Sequence, residues 1–185
     1  MSSMKKYELT KETKVIGGKT LFRIRALRSF GDIKAGDLGG FIENERNLSH
    51  EGNAWVGDNA QVGGNAQVSG DAWVDGNARV GDNAQVGGNA QVGGDAWVDG
   101  DAWVNGDGLI NSNNDYLCEK GLGSHNRSAS FFKCKDGHIH VLCGCFSGNL
   151  DEFENKVKEE HGNSKYAKEY LGFIEVVKTH FEVRQ

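Results

Sequence analysis

A six-residue repetition runs through the middle of this chain and limits the folds open to it. Valine recurs every six residues from Val56 to Val104, an alanine stands two residues before each valine, and Ile110 follows in step. Ala-x-Val predicts a short strand with both apolar side chains on one face. The Gly, Asn and Asp residues between these strands predict a turn. One unit cannot bury its valine alone, so the pattern predicts stacked coils that form a solenoid.

The repeat resembles the hexapeptide repeat of left-handed parallel β-helices. Residues 80–85, VGDNAQ, fit that family's unit at every position. The resemblance implies three units per triangular coil, hence about four coils, with Ile42 and Leu48 in the alanine register and Leu38 in the valine register. We therefore expect a mainly β protein in three parts: an N-terminal β cap (1–37), a left-handed parallel β-helix (38–111) and a C-terminal α+β unit of a hairpin and two helices (112–185).

An eighteen-residue coil sorts the outward-facing residues into three walls, because residues eighteen apart stack. The predicted walls are Trp55, Trp73, Gln91 and Leu109; Gln61, Arg79 and Trp97; and Gln67, Gln85 and Trp103. We interpret the large apolar members as contacts with a flanking segment or a sister subunit: Trp55, Trp73, Trp97, Trp103 and Leu109. Residues 56–76 recur at 80–100 with one change. This offset of twenty-four rotates the copy by one wall, which favours selection for the fold over an aromatic binding strip.

The coils offer little for catalysis. Hexapeptide helices include acyltransferases and zinc carbonic anhydrases, which use histidine as a base or as a metal ligand. Residues 52–110 contain neither histidine nor cysteine, and His50 stands alone, so we interpret it as a filler or edge residue. We expect no catalytic residues, no cofactor and no metal, with an acyltransferase as one alternative.

The two flanks have their own patterns. Phe22, Ile24 and Ala26 alternate with arginines, which predicts strands that cover the open end of the solenoid. In the tail, Asp136-Gly137 between two alternating runs predicts a hairpin. Two helices follow, with predicted N-caps at Asn149 and Ser164 and inward stripes of Leu150, Phe153 and Val157, then Tyr166, Tyr170, Ile174, Val177 and Phe181.

Cys134, His138 and His140 suggest a metal site, which strand alternation opposes. A two-residue turn at Asp136-Gly137 places Cys134 on one face with Ile139, Val141, Cys143 and Cys145. The two histidines then lie on the other face. We interpret the cysteines, including Cys118, as free thiols and mainly as small core residues. A metal site and a reactive thiol stay open as alternatives.

The most polar loop of the tail is the best ligand candidate in the sequence. Glycine amides, hydroxyls and a guanidinium can together hold an anion. The predicted ligand-binding residues are Gly123, Ser124, His125, Asn126, Arg127 and Ser128. A plain connecting loop is the alternative.

Charge and hydropathy limit the partners. The net charge is −5, and the lysines and arginines concentrate before Leu38 while the repeat is acidic. The basic head is too short to predict a nucleic-acid partner, and turn formation explains repeat carboxylates such as Asp75 and Asp99 without phosphate mimicry. No apolar run reaches the roughly 20 residues of a membrane helix, and the start lacks the apolar core of a signal peptide, so we expect a cytoplasmic protein.

Three segments resemble uncharacterised phage and prophage proteins: residues 19–43, the repeat, and residues 123–171 with GSHNRSASFFK, GCFSGNLDEFE and KYAKEYL. The resemblance implies a viral context in the host cytoplasm. We expect a non-enzymatic protein, a homotrimer by similarity to other hexapeptide proteins, that sequesters a host defence protein or a nucleotide signal. A structural virion component is the second alternative.

Overall fold

The repeat forms a parallel β-solenoid of about four turns in the computed structural model, which describes residues 5–182. Each unit contributes one two-residue strand. These strands, β4 to β13, are Trp55–Val56, Gln61–Val62, Gln67–Val68, Trp73–Val74, Arg79–Val80, Gln85–Val86, Gln91–Val92, Trp97–Val98, Trp103–Val104 and Leu109–Ile110. Strands β4 to β10 each pair in parallel with the strand three units further on, so that one turn of the solenoid takes eighteen residues.

The three predicted walls are confirmed. Trp55, Trp73, Gln91 and Leu109 are successive partners on one wall, as are Gln61, Arg79 and Trp97, and Gln67, Gln85 and Trp103 on the others. The valines and alanines are buried in one continuous core. Backbone bonds such as Gly57 N–H to Val74 O, 2.7 Å, join each coil to the next. Because nearly every inward position is small and apolar, the coils stack closely.

The predicted register of the first coil is wrong. Ile42 and Leu48 lie beside Val62 and Val68, so they occupy valine positions at an offset of twenty residues. Eight residues rather than six separate Leu48 from Val56, because the chain bends between them. Leu38 therefore leaves the predicted core position and is 53% exposed.

The N-terminal segment extends one wall of the solenoid. The segment has three strands, β1 (Tyr7–Ile16), β2 (Lys19–Ala26) and β3 (Leu38–Ile42). Strand β2 pairs antiparallel with both β1 and β3, and β3 pairs in parallel with β5. Ile24 and Ala26 join the solenoid core, together with Tyr7 and Phe30. The buried Lys6 ammonium donates to the carbonyl of Ala54, 2.8 Å, and so satisfies an acceptor at the first coil.

His50 lies where the chain bends between the first two coils. Its ring stacks on Tyr7 at 4.3 Å, and its Nδ1 accepts from the Lys6 amide, 3.2 Å. Burial is the main cause that lowers the pKa of His50. The interpretation of His50 as a filler agrees with this packing.

The C-terminal segment is a four-stranded antiparallel sheet followed by two helices. The elements are β14 (Tyr116–Leu122), β15 (Arg127–Lys133), β16 (Ile139–Cys143), β17 (Phe146–Asn149), α1 (Leu150–His161) and α2 (Lys165–His180). The predicted caps at Asn149 and Ser164 are confirmed, and both inward stripes are buried except for the half-buried Tyr166. In residues 5–182, neither helix is long and apolar enough to cross a membrane.

The tail sheet is buried on both faces. Phe132, Cys134 and Leu142 pack on the solenoid core, whereas Phe131 and Val141 pack on the helices. Direct hydrogen bonds also fasten this sheet to the last coil, including Trp103 N–H to Ser130 Oγ, 2.9 Å, and Lys135 N–H to Asp107 O, 3.1 Å. The sheet therefore closes the C-terminal end of the solenoid.

The predicted register of the tail hairpin is wrong by one residue. Lys133 pairs with Ile139 and Phe132 with His140, and the Cys134 amide donates to the His138 carbonyl, 2.9 Å. The loop therefore has three residues, 135–137, instead of two. A one-residue change of register turns a strand's side chains to the other face. Cys134 consequently lies on the same face as both histidines, contrary to the prediction.

Candidate functional site

The polar loop of the tail is a tight turn between β14 and β15. The Asn126 amide donates to the Gly123 carbonyl, 3.3 Å, and Asn126 has a left-handed backbone with φ of 48°. Asparagine tolerates this conformation better than most residues. Helix α2 holds the turn, because the Gly123 amide donates to Glu169 Oε2, 3.3 Å, and Gly123 lies against the ring of Tyr170.

This turn forms one side of a cleft that we call the tail cleft. Its volume is about 410 Å³, within the range of small-molecule sites. Ser124, His125 and Arg127 line it; the other three predicted ligand residues, Gly123, Asn126 and Ser128, do not. The remaining lining residues come from the β16–β17 connection and the two helices: Cys143, Cys145, Phe146, Phe153, Lys156, Val157, Glu160, His161 and Tyr170.

Arg127 is the main cationic group of the tail cleft. Arg127 is half-buried, and its guanidinium packs over Gly144, where a larger residue would collide with it. Burial raises the pKa of the Cys143 thiol and of the Tyr170 hydroxyl, and the nearby Arg127 charge opposes that rise. Among residues 5–182 this guanidinium has neither a carboxylate partner nor a hydrogen-bond acceptor. An anion that enters the cleft therefore meets a cation that no carboxylate of the described residues neutralises.

Aromatic rings form the floor and the far wall of the tail cleft. Phe153 contacts Phe146 at 5.0 Å and Tyr170 at 5.8 Å between ring centroids, and His161 stacks on Tyr170 at 5.6 Å. The Tyr170 hydroxyl donates to the Leu122 carbonyl, 3.3 Å, and burial raises the pKa of Tyr170 to about 12. A flat ring and an anionic group could therefore be bound side by side.

No protein-family model matches the chain, and comparison with the curated proteins finds no relative. The interpretation of this site therefore depends on its geometry.

Sequence reasoning missed the helical side of the tail cleft. Lys156, Glu160 and His161 follow Phe153 by three, seven and eight residues, which is the spacing of one helix face. This spacing is visible in the sequence, whereas the predicted stripe contains only the apolar residues of that face. Lys156 is paired with Glu160 at 3.2 Å, so its charge is partly neutralised, unlike that of Arg127.

The tryptophans predicted as contacts have three different environments. Trp55 is buried and meets Phe30 of the N-terminal segment edge-to-face at 5.5 Å, so it is a contact with a flanking segment. Trp73 is half-buried, and its indole N–H donates to Asp75, 2.9 Å. Trp97 and Trp103 are 52% and 43% exposed on two walls of the last coil, and Leu109 is half-buried.

A second polar group occurs at the hairpin loop between β15 and β16. Cys134, His138 and His140 each place one potential metal-binding atom within 4.8 Å of the others. Burial raises the pKa of Cys134 to about 11, and burial, followed by the neighbouring His138, lowers the pKa of His140. Cys143 and Cys118 are likewise free thiols whose pKa is raised mainly by burial, as expected of packing residues.

Proposed function

We propose that this protein is a non-enzymatic binding protein that sequesters a small ligand of the nucleotide class in the tail cleft. The observation that carries the proposal is the half-buried Arg127 guanidinium, which has no protein partner among the described residues and lies beside an aromatic wall. A guanidinium in such a place normally pairs with a carboxylate or a phosphate. The rings of Phe146 and His161 offer surfaces on which a base can stack.

The rest of the molecule supports binding rather than turnover. The tail cleft contains His125 and His161, but His125 is exposed and bonds Ser124 Oγ, 2.9 Å, while His161 stacks on Tyr170. Of the two thiols that line the cleft, Cys143 is buried among apolar groups, and burial raises its pKa away from that of a nucleophile, whereas Cys145 is exposed.

The resemblance of the sequence to phage and prophage proteins supports a further part of the proposal. The protein is phage-encoded, and the sequestered nucleotide is a signal of a host defence in the host cytoplasm. A rigid solenoid that closes on the tail sheet gives the cleft a fixed support, which lowers the ordering cost of binding.

The proposal also includes a homotrimer. Trp97 and Trp103 expose large apolar side chains on two walls of the same coil, where a sister subunit could cover them. Native mass spectrometry of the full chain is expected to give three copies, and a Trp97→Ser, Trp103→Ser double variant is expected to give one. A wild-type monomer at micromolar concentration would refute the trimer.

Binding is tested by isothermal titration of the full chain with AMP, cyclic AMP and cyclic di-AMP, with inorganic phosphate and adenosine as separate controls. We expect at least one nucleotide to bind more tightly than either control, because both halves of the cleft must be used. Arg127→Gln is expected to weaken binding by about 10- to 100-fold, the range of a lost charge-assisted hydrogen bond. Arg46→Gln, on the exposed surface of the first coil, should leave affinity unchanged.

Two outcomes would overturn this function. One is that none of these nucleotides binds, or that Arg127→Gln binds as tightly as the wild type. The other is that the bound nucleotide is recovered chemically altered after incubation, since a sequestering protein returns its ligand intact.

A further inference from the structure

The hairpin between β15 and β16 gathers three metal-binding side chains on the solenoid-facing side of the tail sheet. Its three-residue loop is closed by two bonds between Cys134 and the far side of the loop: Cys134 N–H to His138 O and Gly137 N–H to Cys134 O, both 2.9 Å. This register puts Cys134 opposite His138, with His140 two residues further along the same face. Backbone pairing therefore fixes the positions of all three side chains.

The distance between the two imidazole nitrogens fits a tetrahedral ion. His138 Nε2 and His140 Nδ1 are 3.4 Å apart, and all three potential ligand atoms lie within 4.8 Å of one another. Two imidazole nitrogens bound to tetrahedral zinc at about 2.05 Å are separated by about 3.3 Å. The imidazole rings therefore already have the spacing that a shared ion requires.

Neighbouring side chains orient both imidazole rings. Asp136 Oδ1 contacts His138 Nδ1 at 2.5 Å, and Ser147 Oγ contacts His140 Nε2 at 3.0 Å. Each ring thus uses its outer nitrogen for a partner and turns the other nitrogen toward the shared point. A carboxylate that bonds the outer nitrogen of a histidine is the usual support of a metal ligand.

The ligand set favours zinc with one open position. One thiolate and two imidazoles suit zinc better than magnesium or calcium, which prefer oxygen ligands. Three protein ligands are typical of zinc sites that keep a fourth position for water or another molecule. A groove of about 700 Å³ borders His138 and His140 and also contains the carboxylates of Asp151 and Glu152.

We propose that Cys134 Sγ, His138 Nε2 and His140 Nδ1 bind one zinc ion, with the fourth position open to the groove beside Asp151 and Glu152. Binding replaces the thiol proton of Cys134, which is released to solvent. The site lies at the opposite end of β16 from the tail cleft, so it is independent of the proposed nucleotide function.

The experiment uses cobalt(II) as a spectroscopic substitute for zinc in the purified full chain. We expect one equivalent of cobalt to produce the visible bands of a tetrahedral site and a near-ultraviolet sulfur-to-cobalt charge-transfer band, and zinc to remove both. Cys134→Ser is expected to abolish the charge-transfer band. The matched control is Cys118→Ser, a free and half-buried cysteine on the neighbouring strand, which should keep that band.

Two further variants keep the test valid if Cys134→Ser folds poorly. His138 is exposed, so His138→Gln should fold normally, as judged by circular dichroism, and should lose at least 10-fold in cobalt affinity. Asp136→Asn should weaken affinity by about 10- to 100-fold, as supporting carboxylates do. The proposal is overturned if folded wild-type protein gives no charge-transfer band, if Cys118→Ser loses it, or if His138→Gln binds cobalt like the wild type.

Discussion

Two glycines in the repeat allow the close approach of stacked coils to be measured directly. Gly76 and Gly100 occupy the same place in the six-residue unit, with φ of 62° and 67°. A methyl group on Gly76 would lie 2.9 Å from the Gly94 carbonyl oxygen and 3.0 Å from its amide nitrogen. A methyl group on Gly100 would meet nothing within 4 Å, because no further coil stacks there. The two positions therefore differ mainly in the presence of a neighbouring coil.

Backbone strain destabilises both alanine variants, and crowding against the next coil destabilises Gly76→Ala alone. Forcing alanine into a left-handed conformation costs about 1 kcal/mol in each case. At Gly76 the next backbone must also move, and crowding of this kind costs about 1–3 kcal/mol. Asp58 and Asp82 stand at the equivalent place with φ of 46° and 51°, so the turn can relax to admit a side chain. We therefore take the lower part of that range for the crowding. The free energy of unfolding is expected to fall by about 2–3 kcal/mol in Gly76→Ala and by about 1 kcal/mol in Gly100→Ala.

Urea unfolding followed by far-ultraviolet circular dichroism measures both values, provided that the slope of free energy against urea is the same in both variants. The difference between the two variants isolates the contact between coils, because the backbone strain cancels. If Gly76→Ala and Gly100→Ala lose the same free energy of unfolding, within about 0.5 kcal/mol, the argument from stacking is refuted.

Two other predictions concern the tail. Asn149→Ala removes the side chain that accepts from the Glu152 amide at 2.9 Å. It is expected to lower the free energy of unfolding, measured in urea, by about 1 kcal/mol. The control is Asn163→Ala, at an exposed position, which should leave the free energy of unfolding unchanged. Burial alone would raise the pKa of Asp115, but hydrogen bonds from Lys133 and neighbouring groups hold it below its ordinary value. A lowered folded-state pKa adds stability above the unfolded pKa of about 3.9, and that stability disappears as the pH falls through the folded value. The stability difference between wild type and Asp115→Asn should therefore shrink between pH 5 and pH 2, and a constant difference would contradict this assignment.

The sequence predicted those parts of the fold that an uninterrupted period determines. Because one turn takes eighteen residues, the position of Gln91 or of Trp97 in the sequence decides which wall it occupies. Each residue lies on the wall that was predicted for it. The first coil departs from the period, because two extra residues between Leu48 and Val56 shift everything before them. The burial of Trp55 was equally beyond a periodic argument, since it depends on contact with Phe30 from outside the repeat.

The candidate sites were predicted less completely, because each depends on distant segments. The loop residues Ser124, His125 and Arg127 were predicted from composition, and they do line the tail cleft. The opposite wall comes from helix α1 and helix α2, and local sequence does not tell which loop a helix will face. Only the tertiary fold brings Arg127 and Tyr170 together in one cleft.

The hairpin register is the most informative failure, because one residue of loop length decides whether a metal site exists. An Asp-Gly pair fits a two-residue turn, but it fits equally a three-residue loop whose last residue is a left-handed glycine, and Gly137 has φ of 88°. If only one face of the sheet were buried, the two-residue turn would be favoured over the three-residue loop, because it places Phe132, Ile139 and Val141 on that face. The tail sheet instead has the solenoid on one side and the helices on the other. When both faces of a sheet are covered, each strand needs apolar side chains on both faces, so alternation of apolar and polar residues does not identify a buried face. The three-residue loop supplies apolar residues to each face and also places Cys134 beside the histidines. Wherever a sheet closes a solenoid, hairpin faces should therefore be assigned from what covers the sheet before alternation is used to exclude a site.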